Sequence, residues 1–317
     1  MGIKALLKKN KMIVSLYEKY KERRLSKQRK KRISGKRFFV NRQKSLDKLC
    51  IILAGYKEFL YSSVFGRIIK YLPDDIDVCV ITSGKRSDIV EKICKEQNWS
   101  YLSTKRNNVS LAQNIAISLH PNAEYIYKLD EDIFITENYF ENMMRAYKHA
   151  TGGDYAPGVI APILPINGYG HMRILEKLNL IELYAEKFEK PKYLAGPSRQ
   201  IENNSEVADF FWNGEYVPNI DELNKRFASE PISERPCAIR FSIGAIMFER
   251  SLWDEMNYFI VGKGNAMGLD EEYLCQYCMI NSRPIMVSEN IVVGHLSFGL
   301  QNNYMRDYYL KNEDKFR

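Results

Sequence analysis

Two clusters of carboxylates and one histidine carry most of the chemistry this sequence could perform. Asp130, Glu131 and Asp132 interrupt an apolar run, "YIYKLDEDIFIT", between Leu129 and Ile133. Side chains alternate faces along a strand, so Asp130 and Asp132 are expected on one face and Glu131 on the other. Two carboxylates so placed repel each other unless a cation sits beside them, and a divalent metal carrying a phosphate-bearing ligand is one answer. A solvated strand end that happens to bear acids is the other. Asp270, Glu271 and Glu272 open the helical pattern "GLDEEYLCQYCMI". Acids there either complement the positive end of the helix or supply a general base. His295 follows the strand-like "NIVVG". An imidazole in that place suits a third metal ligand beside Asp130 and Asp132, since Mn2+ accepts mixed oxygen and nitrogen ligation; the plainer alternative is a core histidine. His120, His149 and His171 lack such a setting and read as structural or surface residues.

The elements that must position these groups alternate along the chain. "KLCIILAGY" reads as a strand ending at Gly55, "KEFLYSSVFGRIIKYL" as a helix closed by Pro73, and "DIDVCVITSG" as a second strand. A helix follows with Ser87 as its cap, then the short strand "SYLSTK", the helix "VSLAQNIAISLH" ended by Pro121, and the strand that runs into Asp130. Strands alternating with helices predict an α/β domain with a mostly parallel central sheet. "GVIAPILPI" carries two prolines and is expected at a sheet edge. Residues 167–235 read as an insertion or lid. Phe210, Phe211 and Trp212 within it could stack on a ligand or simply pack the lid.

Charge is distributed unevenly. Residues 1–37 hold 15 Lys and Arg against 2 Glu, whereas the chain as a whole carries +8, so residues 38–317 are mildly acidic. The surplus sits in an arm whose Ile3, Leu6, Leu7, Ile13, Val14, Leu16, Tyr17 and Tyr20 recur at mostly helical spacing. A basic connector, "LSKQRKKRISGKR", is expected to be flexible. An amphipathic basic arm points to an anionic partner, and an anionic membrane surface is the expected one. No apolar run is long enough to span a bilayer. Cys50 and Cys79 lie in apolar runs, and Cys275 and Cys278 form a lone CxxC on one helix face, so packing rather than zinc binding is expected. The chain reads as reduced and intracellular.

The stretch "KRNNVSLAQNIAISLHPNAEYIYKLDED" resembles a run typical of family-two glycosyltransferases, in which an "A-R-N-x-G" helix precedes a strand bearing Asp-x-Asp. Asn107 or Asn108, Ala112 and Asn114 match that run; Val109, Gln113 and Ala116 depart from it. "VCVITSGKRSD" is similar to the family's second strand and turn through Gly84 and Asp88, with Thr82 and Ser83 where an acidic pair is usual. "FSIGAIMFERSLWDEM" resembles its small-residue turn and following helix. The resemblance covers residues 48–150, and 238–300 more loosely. It implies a single GT-A-type domain over residues 38–317, preceded by the arm of residues 1–37, of the kind that builds bacterial capsule and cell-surface polysaccharides. It further implies a nucleotide-sugar donor, expected to be a UDP-sugar, lined by Ala54, Gly55, Ser83, Asn108, Asn114 and Asp130. Asp130, Asp132 and His295 would hold Mn2+ or Mg2+, which neutralises the leaving diphosphate. Asp270 and Glu271 both align with the family's base for an inverting transfer to a glycan or lipid-linked acceptor. The cysteine usage and the basic arm set the expected location as cytoplasmic and peripheral, on the inner face of the membrane.

Two other readings compete. A nucleotidyltransferase also sets acids on a metal, but "LAGYKE" lacks the glycine-rich basic loop that holds a triphosphate. A non-catalytic binder with its arm on nucleic acid would need a basic recognition motif in the body, and none is present, so no nucleic-acid partner is expected.

Overall fold

The computed structural model describes residues 11–165, 168–194, 204–263, 268–296 and 303–317. Ile3, Leu6 and Leu7 of the arm lie outside the described residues. Nine strands form one sheet: β1 (Arg37–Val40), β2 (Lys48–Ala54), β3 (Asp77–Ser83), β4 (Ser100–Thr104), β5 (Tyr125–Asp130), β7 (Val159–Ile163), β8 (Glu234–Pro236), β9 (Ala245–Glu249) and β10 (Ile285–Val292). Their order is β1-β4-β3-β2-β5-β9-β7-β10-β8, and a separate pair joins β6 (Ile133–Phe134) to β11 (Gly294–His295). The pairings of β2 with β3 and β5, of β3 with β4 and of β7 with β10 are parallel. β1, β8 and β9 pair antiparallel with their neighbours, so the other six strands all run one way. The chain thus forms an α/β domain on a mostly parallel sheet, as its alternation predicts.

The parallel strands are near-continuous apolar runs because helices cover both faces of such a sheet. β3 is buried along its whole length. The crossovers are α2 (Tyr61–Tyr71), α3 (Asp88–Glu96), α4 (Val109–Leu119) and α5 (Tyr139–Thr151). Ser87 caps α3 as expected, its hydroxyl accepting from the Val90 amide at 3.4 Å.

Two expectations fail. β7 is not an edge strand but lies between β9 and β10. Its Pro162 falls where β9 no longer pairs, beyond Ile160, and where the β10 ladder jumps from Val287 to Val292, so the missing amide costs no ladder bond. The basic connector is not flexible either, since α1 (Lys11–Arg32) runs through most of it. Gln28, Arg29 and Arg32 at its end fasten to Asn257 and Tyr258.

The insertion is a packed helical layer: α6 (Gly168–Lys177), α7 (Ile181–Lys187), α8 (Ser205–Trp212) and α9 (Ile220–Ala228). Arg173 fixes α6 to β10 by a forked pair of bonds, Nε to Glu289 Oε1 at 3.0 Å and Nη2 to Oε2 at 2.5 Å. Phe210, Phe211 and Trp212 are all buried. Phe210 stacks on Tyr216, Phe211 meets His171 and Trp212 meets Phe316, so these rings pack the layer. The remaining described helices are α10 (Arg250–Glu255), α11 (Leu269–Ile280) and α12 (Tyr304–Lys311). No helix among the described residues is long and apolar enough to cross a membrane.

His120 and His171 are buried, as a structural role requires. Burial pushes His171 down to about 4, against its hydrogen bond to the Pro165 backbone. The unfolded chain takes up that proton near pH 6.5, so the unfolded state binds more protons as pH falls. Stability from this group is complete above about pH 6.5 and is lost as pH drops toward 4, by on the order of 3 kcal/mol. Urea midpoints measured from pH 7 to 4.5 should fall, and His171→Gln should flatten that slope. An unchanged slope in the variant would show that His171 titrates alike in the folded and unfolded chain.

Candidate active site

β2 and β5 are adjacent and parallel, with Leu53 opposite Asp130, so their carboxyl ends open on the same side of the sheet. A ligand crevice in such a sheet forms at that end. After β2 the backbone turns at Gly55, whose φ of +121° is a conformation that favours glycine. After β5 the strand stops at Asp130, and Glu131 and Asp132 lie in a turn.

Glu131 therefore does not simply face away on a strand. It accepts the backbone amides of Gly55 at 2.8 Å, Tyr56 at 3.0 Å and Lys57 at 3.1 Å, and the Tyr61 hydroxyl at 2.9 Å. Three consecutive amides converging on one carboxylate form an anion nest, here filled by the chain's own side chain. Burial and this carboxylate together raise the Tyr61 phenol well above its usual range, so it stays a donor. Glu131 thus locks the β2 and β5 loops together.

Each remaining acid of the triplet has its own cation. Lys128 is only 2% exposed, and its ammonium lies 2.6 Å from Asp130 Oδ1 and donates to the Ile243 carbonyl at 2.6 Å. Partial loss of hydration raises the Asp130 carboxyl above its ordinary range, with Lys128 opposing and Asp132 adding to the rise, while about a third of its side chain still meets solvent (34%). Lys57 lies 2.6 Å from Asp132 Oδ2. Burial works against ionisation of Asp132, but Lys57 and His295 outweigh it and hold the carboxyl well below the usual range. His295 reaches this place because β11 pairs with β6, setting His295 opposite Ile133. Its Nε2 is 3.6 Å from Asp132 Oδ2, and its buried Nδ1 has no hydrogen-bond partner.

The residues fit a divalent cation by donor type. A Cβ placed on Gly244 would stand 3.6 Å from both Asp130 Oδ2 and His295 Nε2, so the glycine keeps open a small gap between those two donors. Two carboxylates and an imidazole are a set that Mn2+ accepts and Mg2+ uses in part. As they stand, no three such side chains among the described residues close into a ligand set. The cation now on Asp132 is the Lys57 ammonium.

The acids at the start of α11 connect to this site through residues 240–244. Glu271 Oε1 accepts from Arg240 Nε at 2.6 Å, and Oε2 accepts from the Ile243 amide at 3.3 Å. The Ile243 carbonyl takes Lys128, and the Gly244 carbonyl accepts the Asp130 amide at 2.8 Å. Asp270 is buried and accepts from Gln113 Nε2 of α4 at 2.7 Å. Glu272 pairs more loosely with Arg240, at 3.5 Å.

Of the residues expected around the donor, Gly55 gives its amide to Glu131, and Ala54 precedes it as the last residue of β2. Ser83 knots three loops: its hydroxyl accepts the Asn108 amide at 2.7 Å, and its carbonyl accepts the Tyr56 hydroxyl at 2.6 Å. Asn108 caps α4 by accepting the Leu111 amide at 2.9 Å, and its buried Nδ2 has no partner. Asn114 is placed otherwise. Its Oδ1 accepts from Trp253 Nε1 and the Phe259 amide, and its Nδ2 donates to the Arg32 and Phe259 carbonyls. Its polar atoms are spent inside the protein, joining α4 to α1 and to the segment after α10. Sequence reasoning missed Lys57, Lys128 and Gln113 as partners of the acids, and it set Glu131 apart on the opposite strand face. Lys128 had left a local sign, a lysine inside the apolar strand "YIYKLD".

All six cysteines are free thiols. A groove of about 550 Å³ lined by Lys48, Tyr127, Phe140 and Met144 contains none of the site acids.

No family model and no curated protein matches the chain. By structure it is similar to the mannosyltransferase PcManGT from Pyrobaculum calidifontis in complex with GDP-Man and Mn2+, at 12% identity and a TM-score of 0.47, over 91% of this chain and 68% of that one. It is also similar to S. aureus TarS 1–349 in complex with UDP, at 12% identity and a TM-score of 0.43, over 78% of this chain and 60% of that one. The chain therefore spans less than two thirds of the TarS fragment.

Proposed function

We propose that residues 38–317 form a metal-dependent glycosyltransferase that moves a sugar, with inversion, from a nucleotide-sugar to a glycan or lipid-linked acceptor. A UDP-sugar is the favoured donor. The observation that carries this reading is the convergence of Asp130, Asp132 and His295 beside Gly244, at the carboxyl end of β5 and one short segment away from Glu271. Two acids, an imidazole and a separate carboxylate pair on a helix supply both halves of such a reaction, a place for a charged leaving group and a base.

Asp130, Asp132 and His295 would hold the cation, with Lys57 leaving Asp132. When bound, a divalent cation neutralises the departing nucleoside diphosphate. The other work falls to the chain. Lys128 and Ile243 keep Asp130 in place from below. Asp270 or Glu271 takes the proton of the acceptor hydroxyl as its oxygen bonds to the sugar's anomeric carbon and the bond from that carbon to the diphosphate oxygen breaks. One displacement inverts the centre and needs no covalent bond to the protein.

A nucleotidyltransferase is disfavoured by Glu131. The backbone amides at the end of β2, which could otherwise take a triphosphate, are already engaged by that carboxylate. Calorimetry with uridine, guanosine and cytidine di- and triphosphates, each with and without Mn2+, tests the reading. UDP should bind only when Mn2+ is present. Binding of triphosphates with no response to any diphosphate would instead favour nucleotidyl transfer.

A further inference from the structure

The helix α1 has two different sides. Its last turns are clamped to the body. Arg29 Nε donates to Asn257 Oδ1 at 3.1 Å and its Nη2 to the Asp254 carbonyl at 2.8 Å. Arg32 Nη1 donates to the carbonyls of Asn257 at 2.5 Å and Tyr258 at 3.0 Å, and the Arg32 carbonyl accepts from Asn114 at 3.2 Å. Arg29 also covers the Tyr258 ring and Arg32 the Tyr273 ring.

At about 100° per residue, Gln28, Arg29 and Arg32 point to one side, and Leu16, Tyr17, Tyr20, Arg24, Lys27 and Lys31 share a separate arc of about 100°. Those six are exposed: Leu16 is 57% exposed and Tyr17 and Tyr20 are each 65% exposed, and the three basic residues face solvent too. Glu18 and Glu22 fall outside this arc. Residues 15–24 are exposed on every side, and this strip of the helix presents an apolar and aromatic first part and a purely basic second part, along about 20 Å.

We propose that this face of α1 docks on an anionic lipid surface. Leu16 and the two tyrosines would enter the interfacial layer, where aromatic rings with a polar tip are at home. Arg24, Lys27 and Lys31 would meet the phosphate and carboxylate headgroups. Nucleic acid offers the same anionic attraction but gives Leu16 no apolar environment. The mildly acidic body would be repelled by the lipid surface, so the contact falls to the arm alone. Because Arg29 and Arg32 fix the helix to the body, docking would also set the orientation of the body on the membrane. The inference is independent of the proposed transfer reaction, and either can fail without the other.

The test uses the full chain, because deleting residues 1–37 would also remove the Arg29 and Arg32 clamps and the start of β1. Sedimentation is measured with phosphatidylcholine vesicles, with and without about one-third phosphatidylserine. The unmodified chain should pellet with the anionic vesicles only, and its binding should weaken about tenfold or more when salt is raised from roughly 0.05 to 0.5 M. Combined Leu16→Ser, Tyr17→Ser and Tyr20→Ser should weaken it at both salts. Combined Arg24→Glu, Lys27→Glu and Lys31→Glu should remove it, and both variants should keep the parent melting temperature. Equal pelleting with neutral vesicles, or unchanged binding in the apolar variant, would overturn the proposal. So would tight binding of a single-stranded RNA homopolymer that survives the apolar substitutions and is lost with the basic ones, which would make the face a nucleic-acid surface.

Discussion

Asp132→Ala is expected to abolish Mn2+-dependent binding of a nucleoside diphosphate while leaving the fold intact. Asp132 is the acid on which both the Lys57 ammonium and His295 Nε2 converge, and it is held ionised far below the usual carboxylate range. Its removal deletes a donor from two of the three ligand pairs at the site and leaves only Asp130 with His295. Lys57, about a fifth exposed, can turn to water when its partner is lost, so the structural penalty is modest. The companion experiment has the opposite sign. Lys57 and a divalent cation compete for the same oxygens, so Lys57→Met should tighten binding of Mn2+ alone by about tenfold, a difference of about 1.4 kcal/mol. Calorimetry or Mn2+ paramagnetic resonance without nucleotide reads this directly. His295→Ala should weaken metal binding by less than Asp132→Ala. Undiminished binding of diphosphate with Mn2+ by the Asp132 variant would remove the metal site from these residues.

The second large effect concerns proton removal. One of Asp270→Asn and Glu271→Gln should lower kcat by about 10²- to 10⁴-fold while donor affinity stays unchanged, the signature of a group needed only in the transition state. The two are distinguishable by what holds them. Glu271 is engaged at both oxygens by Arg240 and Ile243, and Arg240 is itself nearly half exposed and able to move aside. Asp270 is buried and held by Gln113. Steady-state turnover with calorimetry of the donor separates the two roles. Near-normal turnover in both variants would reduce these acids to partners of the α11 dipole.

Much of this arrangement is legible from residue order, where the cause is local. The strand endings at Gly55 and Asp130, the cap at Ser87 and the helix stops before Pro73 and Pro121 follow from periodicity and backbone chemistry within a few residues. The acids at 130–132 and 270–272 declare themselves because like charges beside apolar runs need a reason. Prolines misled at β7, since whether a missing amide matters depends on where the neighbouring strands stop pairing. The basic connector misled because composition registers charge but not the partners waiting at Asn257 and Tyr258. Asn114 matched a motif, yet its amide is consumed by Trp253, Phe259 and Arg32.

What the sequence by itself determined was the α/β alternation, the strand that delivers Asp130, the helix that opens with Asp270 and Glu271, and the lopsided charge of the arm. Each of these is written in consecutive residues. What only the tertiary structure decided was which charge answers which. Lys57 meets Asp132 across 75 residues, Glu131 reaches back 76 residues to Gly55, and Gln113 holds Asp270 across 157. Nothing in local spacing ties these residues together. The parallel sheet does so by bringing distant strand ends to one rim, where burial lowers the screening between charges and makes each pairing count.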